Sequence, residues 1–133
     1  MEASERKFFH KNERLYLKKD IDKVFADGQS FLSYPLRIAY LSDTGDASPV
    51  SGISVLISVP KKRIRHSVRR NRIKRLIREA FRLNKNESSD LCKQKGTQLH
   101  IAFIYICNEI KTYADIEKSM LKALKIIREK ELV

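Results

Sequence analysis

A chain of 133 residues, 42 % of them apolar, has the size and composition of one packed domain. Its formal charge of +12 calls for a polyanionic partner, and on charge alone nucleic acid and a membrane surface both qualify. No apolar run approaches the roughly 20 residues that span a bilayer. The charged N-terminus lacks the apolar core of a secretory signal, and the two distant cysteines, Cys92 and Cys107, are too few for a metal site and suit a reducing cytoplasm.

Residues 1–13 are polar, mixed in charge and read as a loose tail. Over residues 17–28, Leu17, Ile21, Val24 and Phe25 recur at helical spacing, and Gly28 suits the position just past a helix end. A short strand is expected near Phe31. Residues 35–41 alternate like a strand, residues 42–49 read as a turn or loop, and residues 50–59 form a strand dense in β-branched side chains that Pro60 ends. The next segment is basic and reads as a helix over 67–83. Residues 84–96 read as a linker, with Cys92 in a polar loop. Residues 98–107 form a long apolar strand, expected to be central and to end in a buried free thiol at Cys107. Ile116, Met120, Leu121, Leu124 and Ile127 share one face of a last helix, which Thr112 or Asp115 could cap. Helices alternating with strands argue for a layered α/β domain and against a bundle.

The charge is concentrated. Residues 61–85, KKRIRHSVRRNRIKRLIREAFRLNK, hold twelve Lys or Arg and one acid, Glu79, so +11 of the +12 lies here. On a helix stepping 100° per residue, Ile73, Leu76, Ile77, Ala80 and Phe81 fall within an arc of about 140°. Asn71, Arg72, Lys74, Arg75, Arg78 and Arg82 occupy the opposite arc. A merely solvated face would mix signs, because like charges four residues apart repel. Arg65 and Arg69, Lys74 and Arg78, and Arg78 and Arg82 are such pairs, and a bound polyanion would relieve them. Arg outnumbers Lys along the helix, and its planar fork suits phosphates and bases. A membrane-surface helix would expose bulky apolar side chains beside its charges, whereas this apolar stripe is what a sheet needs as cover. RNA or DNA is the better partner.

The same segment resembles the signature of the bacterial ribonuclease P protein subunit: a basic pair after a strand, a small residue, then an R-N-R-x-K-R core running into a helix. Arg70, Asn71, Arg72, Lys74, Arg75 and Arg78 match it, and the lead-in VLISVPKK matches the strand that ends in a Lys pair. The resemblance extends through Val24, Phe25 and Gly28 to the closing strand and helix. Two positions depart from it: Ser67 stands where the family usually has Ala, and Ile21 where many members carry an aromatic.

The resemblance implies a single-domain α-β sandwich of order αβββαβα with a left-handed βαβ crossover through the basic helix, against the general right-handed rule. It also implies a cytoplasmic protein whose partners are the catalytic RNA subunit and precursor tRNA, not membrane or DNA. The RNA then carries the hydrolytic centre, and its phosphates bind most of the Mg²⁺. Arg65, Arg69, Arg70, Asn71, Arg72, Arg75, Arg78 and Arg82 would contact that RNA. Phe25, Phe31 and Tyr34, with Lys62 and Lys74, would hold the single-stranded 5′ leader, the aromatics by stacking. Packing competes with this role, for Phe25 above all, which sits at helical spacing beside Val24. No catalytic or metal-binding residue is expected. His66 reads as a polar residue at the helix start, His10 and His100 show no partner in the sequence, and Asp20, Asp22 and Asp27 suit helix capping and solvation.

Two rivals stay open. A protein nuclease would need paired carboxylates or a His/Asp cluster, whereas the acids here are scattered; cleavage by the chain alone would reveal one. A ribosomal or DNA-binding protein could use the same helix in a groove, and would bind without stimulating tRNA processing.

Overall fold

A computed structural model describes residues 18–43 and 52–132. The chain runs α1 (Lys18–Asp27), β1 (Gln29–Ser33), β2 (Leu36–Asp43), β3 (Gly52–Ser58), α2 (Ser67–Asn84), α3 (Asn86–Lys95), β4 (Gln98–Tyr105), α4 (Tyr113–Ile127) and a closing π-helical turn (Arg128–Leu132). The expected tail, Leu17 and most of the expected 42–49 loop lie outside the described residues. Among the described residues no helix is long and apolar enough to cross a membrane.

The strands form one sheet in the order β1-β2-β4-β3, with β4 inside it as expected. β1 and β2 form an antiparallel hairpin, β2 pairs antiparallel with β4, and β3 runs parallel to β4. Parallel neighbours need a long crossover, and here the basic helix α2 and then α3 supply it. The domain is α/β, and the expected order gains one helix.

Alternation along the strands sorts side chains onto two faces. Leu36, Ile38 and Tyr40 of β2, Ile53 and Val55 of β3, and Leu99, Ile101, Phe103 and Tyr105 of β4 belong to the main core. From the helices, Ile73, Ile77, Ala80 and Phe81 of α2 and Ile116, Met120, Ala123, Leu124 and Ile127 of α4 join them. The α2 residues are the stripe expected from the sequence. The other face is covered more thinly: Val24 of α1 packs on Ala39 and Ala102, flanked by Ile21, Leu41 and Leu56. Small residues at 39 and 102 let α1 come close. Gly28 ends α1 as expected, and its neighbours explain the residue: a Cβ there would collide with the carbonyl oxygens of Val24 and Tyr40.

Two expectations need correction, and one alternative is resolved. Residues 84–96 are no linker, because α3 occupies most of them. Its apolar content is low, yet Cys92 is fully buried and Leu91 packs against the core. Gly96 closes it in the left-handed region (φ 63°), donating to the Cys92 and Lys93 carbonyls. Cys92 is therefore an interior thiol, and burial pushes its pKa up to about 11. Leu121 is half exposed, unlike the other residues of its expected stripe; at i+1 from Met120 it turns to the stripe's margin. Thr112, not Asp115, caps α4, its Oγ1 accepting from the Asp115 N–H at 3.2 Å.

Candidate nucleic-acid interface

Pro60 starts the approach to α2. Its carbonyl accepts from the N–H groups of Arg63 (3.0 Å) and Ile64 (3.2 Å), which forms a turn, and the buried Ile64 side chain anchors that turn to the core. Lys61, Lys62 and Arg65 stay exposed around the anchor. Arg70 reaches back from the first turn of α2 and donates from Nη1 to the carbonyls of Ile64 (3.1 Å) and Arg65 (2.7 Å). It thus braces the loop that presents the other cations. His66 takes the N-cap position without a side-chain cap bond, and no acid occupies the first turn, so the positive end of the helix dipole adds to the field.

Beyond that turn Arg69, Asn71, Arg72 and Arg75 are exposed, while Lys74, Arg78 and Arg82 are half-buried. Arg75, Leu76, Arg78, Glu79 and Arg82 enclose a shallow depression of about 380 Å³. Glu79, the segment's one acid, is occupied: Arg82 donates to it from Nε (3.1 Å) and Nη2 (2.6 Å) and holds its carboxyl below the usual range. Among the described residues Arg72, Arg75 and Arg78 have no carboxylate partner. These three guanidinium groups stand along a helix about 27 Å long.

A second surface lies on the thinly covered face of the sheet. The register puts Leu32, Arg37, Ile104 and Ser58 in one row across all four strands, next to the row that α1 covers. Leu32 is 63 % exposed, Arg37 is exposed, and Ile104 and Ser58 are half-buried. Phe25 of α1, 51 % exposed, lies on the same side of the sheet as its neighbour Val24, and Lys62 follows shortly after the end of β3. The row is open and mixed, with apolar Leu32 and Ile104 on either side of Arg37.

The three aromatics singled out from the sequence do not assemble into one platform. Phe25 is on the α1 side. Phe31 is half-buried on the opposite face, edge-on to Tyr40 with ring centroids 5.9 Å apart. Tyr34 is 62 % exposed at the hairpin tip, with Lys111 Nζ 5.8 Å from its ring centroid. Leu32, Arg37 and Lys111 went unnoticed in the sequence; only strand register and the β4–α4 loop bring them to these places. His66 is the N-cap residue, Asp22 and Asp27 are exposed on α1, and His100 is buried in β4. Among the described residues no three His, Cys, Asp or Glu side chains cluster as metal ligands would.

The ribonuclease P family model matches residues 9–128. The chain is 43 % identical over 114 residues to the ribonuclease P protein component of Porphyromonas gingivalis, covering 86 % of this chain and 82 % of that one. It is 38 % identical over 104 residues to that of Chlorobium phaeobacteroides, covering 72 % and 70 %. The fold matches the RNase P protein of Staphylococcus aureus with a TM-score of 0.65 at 22 % identity, over 90 % of this chain and 96 % of that one. It matches the Thermotoga maritima protein with a TM-score of 0.62 at 24 % identity, over 86 % and 97 %. A basic helix carrying the R-N-R-x-K-R core, a matching fold and matches of this extent agree: the chain belongs to the ribonuclease P family, as a protein component that serves tRNA processing.

Proposed function

We propose that the chain is the protein subunit of a ribonucleoprotein ribonuclease P, acting in the cytoplasm. It holds the catalytic RNA with one surface and the 5′ leader of precursor tRNA with another, and so promotes endonucleolytic removal of the leader. The observation that carries this reading is the α2 face, where, among the described residues, Arg72, Arg75 and Arg78 stand without carboxylate partners opposite the core-facing stripe. Such a row suits the regular phosphates of a folded RNA. In this reading Arg65, Arg69 and Arg82 extend the row, Arg70 keeps its loop in shape, and Asn71 offers an amide to RNA or to metal-bound water.

The row Leu32–Arg37–Ile104–Ser58, bordered by Phe25 and Lys62, suits a single strand whose bases need apolar contact without sequence readout. Tyr34 adds an aromatic surface at the hairpin tip, Lys74 supports the α2 side, and Phe31 contributes mainly by packing. Mg²⁺ would be held by RNA phosphates. The cationic ridge of the chain repels divalent ions, and its task toward them is to lower the repulsion among the phosphates that bind them. Reconstitution with a bacterial ribonuclease P RNA tests the reading, through precursor-tRNA cleavage at low Mg²⁺.

A further inference from the structure

The hairpin tip and α4 enclose a groove of about 370 Å³, of which the roles above use only Tyr34. Lys111, Lys118 and Lys122 line it with one acid, Asp115, and Tyr34 forms its aromatic wall. Its floor is fixed by Ser33 of β1 and Ser119 of α4, both buried and hydrogen-bonded to each other's backbone. Its rim is fixed too. The buried Tyr105 donates its hydroxyl hydrogen to the Glu109 carbonyl and accepts from the Lys111 N–H at 3.1 Å, which holds Lys111 over the Tyr34 ring. The neighbouring Cys107 thiol raises the pKa of the Tyr34 phenol. Tyr34 thus has Lys111 over its ring, yet 62 % of its surface is open.

The groove is separate from the α2 ridge. The α2 side of α4 is marked by Tyr113 and Glu117, with Asn84 of α2 donating to Glu117 at 3.2 Å and Tyr113 donating to the same oxygen at 3.2 Å. The groove lysines lie on the other flank, against β1. A helix about 10 Å across therefore stands between the two basic surfaces, and a strand in the groove is not the strand on the ridge. From the groove, the hairpin tip leads within two residues to Leu32, at the end of the open row on the other face of the sheet.

We propose that this groove binds the upstream part of the single-stranded 5′ leader, one base stacking on Tyr34 and the adjoining phosphates pairing with Lys118 and Lys122. The proposal rests on the leader-binding reading of the open row and extends it past the hairpin tip. An aromatic wall with excess ammonium charge binds single strands with little regard to sequence. The lysines are flexible point charges, suited to a mobile backbone more than to a fixed fork of contacts.

The test uses the full chain reconstituted with a bacterial ribonuclease P RNA. Wild type and a Lys118→Ala/Lys122→Ala variant are compared on precursor tRNA with a long leader and with a leader trimmed to a short stub. Both lysines are exposed on a helix, where Ala is well tolerated. The variant should lose affinity for the long-leader precursor by about tenfold, with a salt slope lower by about two units. It should bind the stub precursor and the RNA subunit like wild type. A Lys118→Arg/Lys122→Arg variant should restore long-leader affinity. Unchanged long-leader affinity, equal loss on both precursors, or weakened RNA-subunit binding would each overturn the proposal. The wider reading fails by a different sign: wild-type chain that does not assemble with the RNA or stimulate cleavage of either precursor.

Discussion

Ser33 and Ser119 exchange hydrogen bonds across 86 positions of sequence: the Ser33 hydroxyl donates to the Ser119 carbonyl at 2.9 Å, and the Ser119 hydroxyl donates to the Ser33 carbonyl. Both residues are buried, so the pair pins the β1–β2 hairpin to α4. Ser119→Ala removes one donor and leaves a buried carbonyl short of a partner, a loss of about 1–3 kcal/mol. Urea unfolding should show the midpoint falling with an unchanged m-value. An unchanged midpoint would mean that the hairpin is held by its apolar contacts alone.

Phe25 and Phe31 should part company on substitution. Phe25 is half exposed, so Phe25→Ala should cost only about 0.5–1 kcal/mol of stability. It should lower affinity for precursor tRNA, by up to about 1–3 kcal/mol of stacking, and leave mature tRNA alone. Phe31 packs edge-on to Tyr40, so Phe31→Ala should chiefly destabilise, by about 2–3 kcal/mol. The measurements are unfolding curves and the ratio of precursor to mature tRNA affinity. A wild-type ratio in folded Phe25→Ala would remove that residue from the leader surface.

On the α2 face, Arg72→Ala and Arg75→Ala should each weaken RNA-subunit binding and lower the salt slope by about one unit. Glu79→Gln is the control of opposite sign, because it removes the segment's one acid and releases Arg82. Binding should tighten by roughly threefold, on the order of 0.6 kcal/mol. Salt titrations of all three variants decide; slopes equal to wild type throughout would place the RNA interface elsewhere.

Cys92 sets a limit at alkaline pH. Its folded pKa, about 11, lies above the unfolded thiol value, so the folded state holds its proton longer. The sign follows from linkage: this contribution is complete below roughly pH 8.5 and is lost as pH rises through 11. Stability should decline over that window, and Cys92→Ala should decline less steeply, at the cost of a lower starting value. Chemical denaturation at a series of pH values measures it. Equal slopes for the two proteins would show that Cys92 does not titrate with unfolding.

The α2 stripe was legible in the sequence because a 3.6-residue period over 18 residues leaves little choice of buried face. The strands were legible from β-branched and apolar runs, and Gly28 from its place after an apolar helical pattern. α3 was not, because NESSDLCKQK offers only Leu91 and Cys92 to a core and looks like solvent-loving chain. Its helix depends on tertiary burial of Cys92 and on the left-handed Gly96. The open row was hidden for another reason: Leu32, Arg37, Ser58 and Ile104 come from four strands, and register alone aligns them. The groove at Tyr34 needs β1 and α4, far apart in sequence, to meet. Local pattern shows which residues are buried; it does not show which distant surfaces become neighbours.

The central claim is that this chain assists an RNA catalyst through binding. The direct measurement is precursor-tRNA cleavage at low Mg²⁺ by a bacterial ribonuclease P RNA, with and without the purified chain, beside the chain alone. The account predicts cleavage at the mature 5′ end with RNA and chain together, far less with RNA alone, and none with the chain alone. Cleavage by RNA-free chain that is abolished by substituting one of its carboxylates, or no stimulation by chain that binds the RNA, would contradict it.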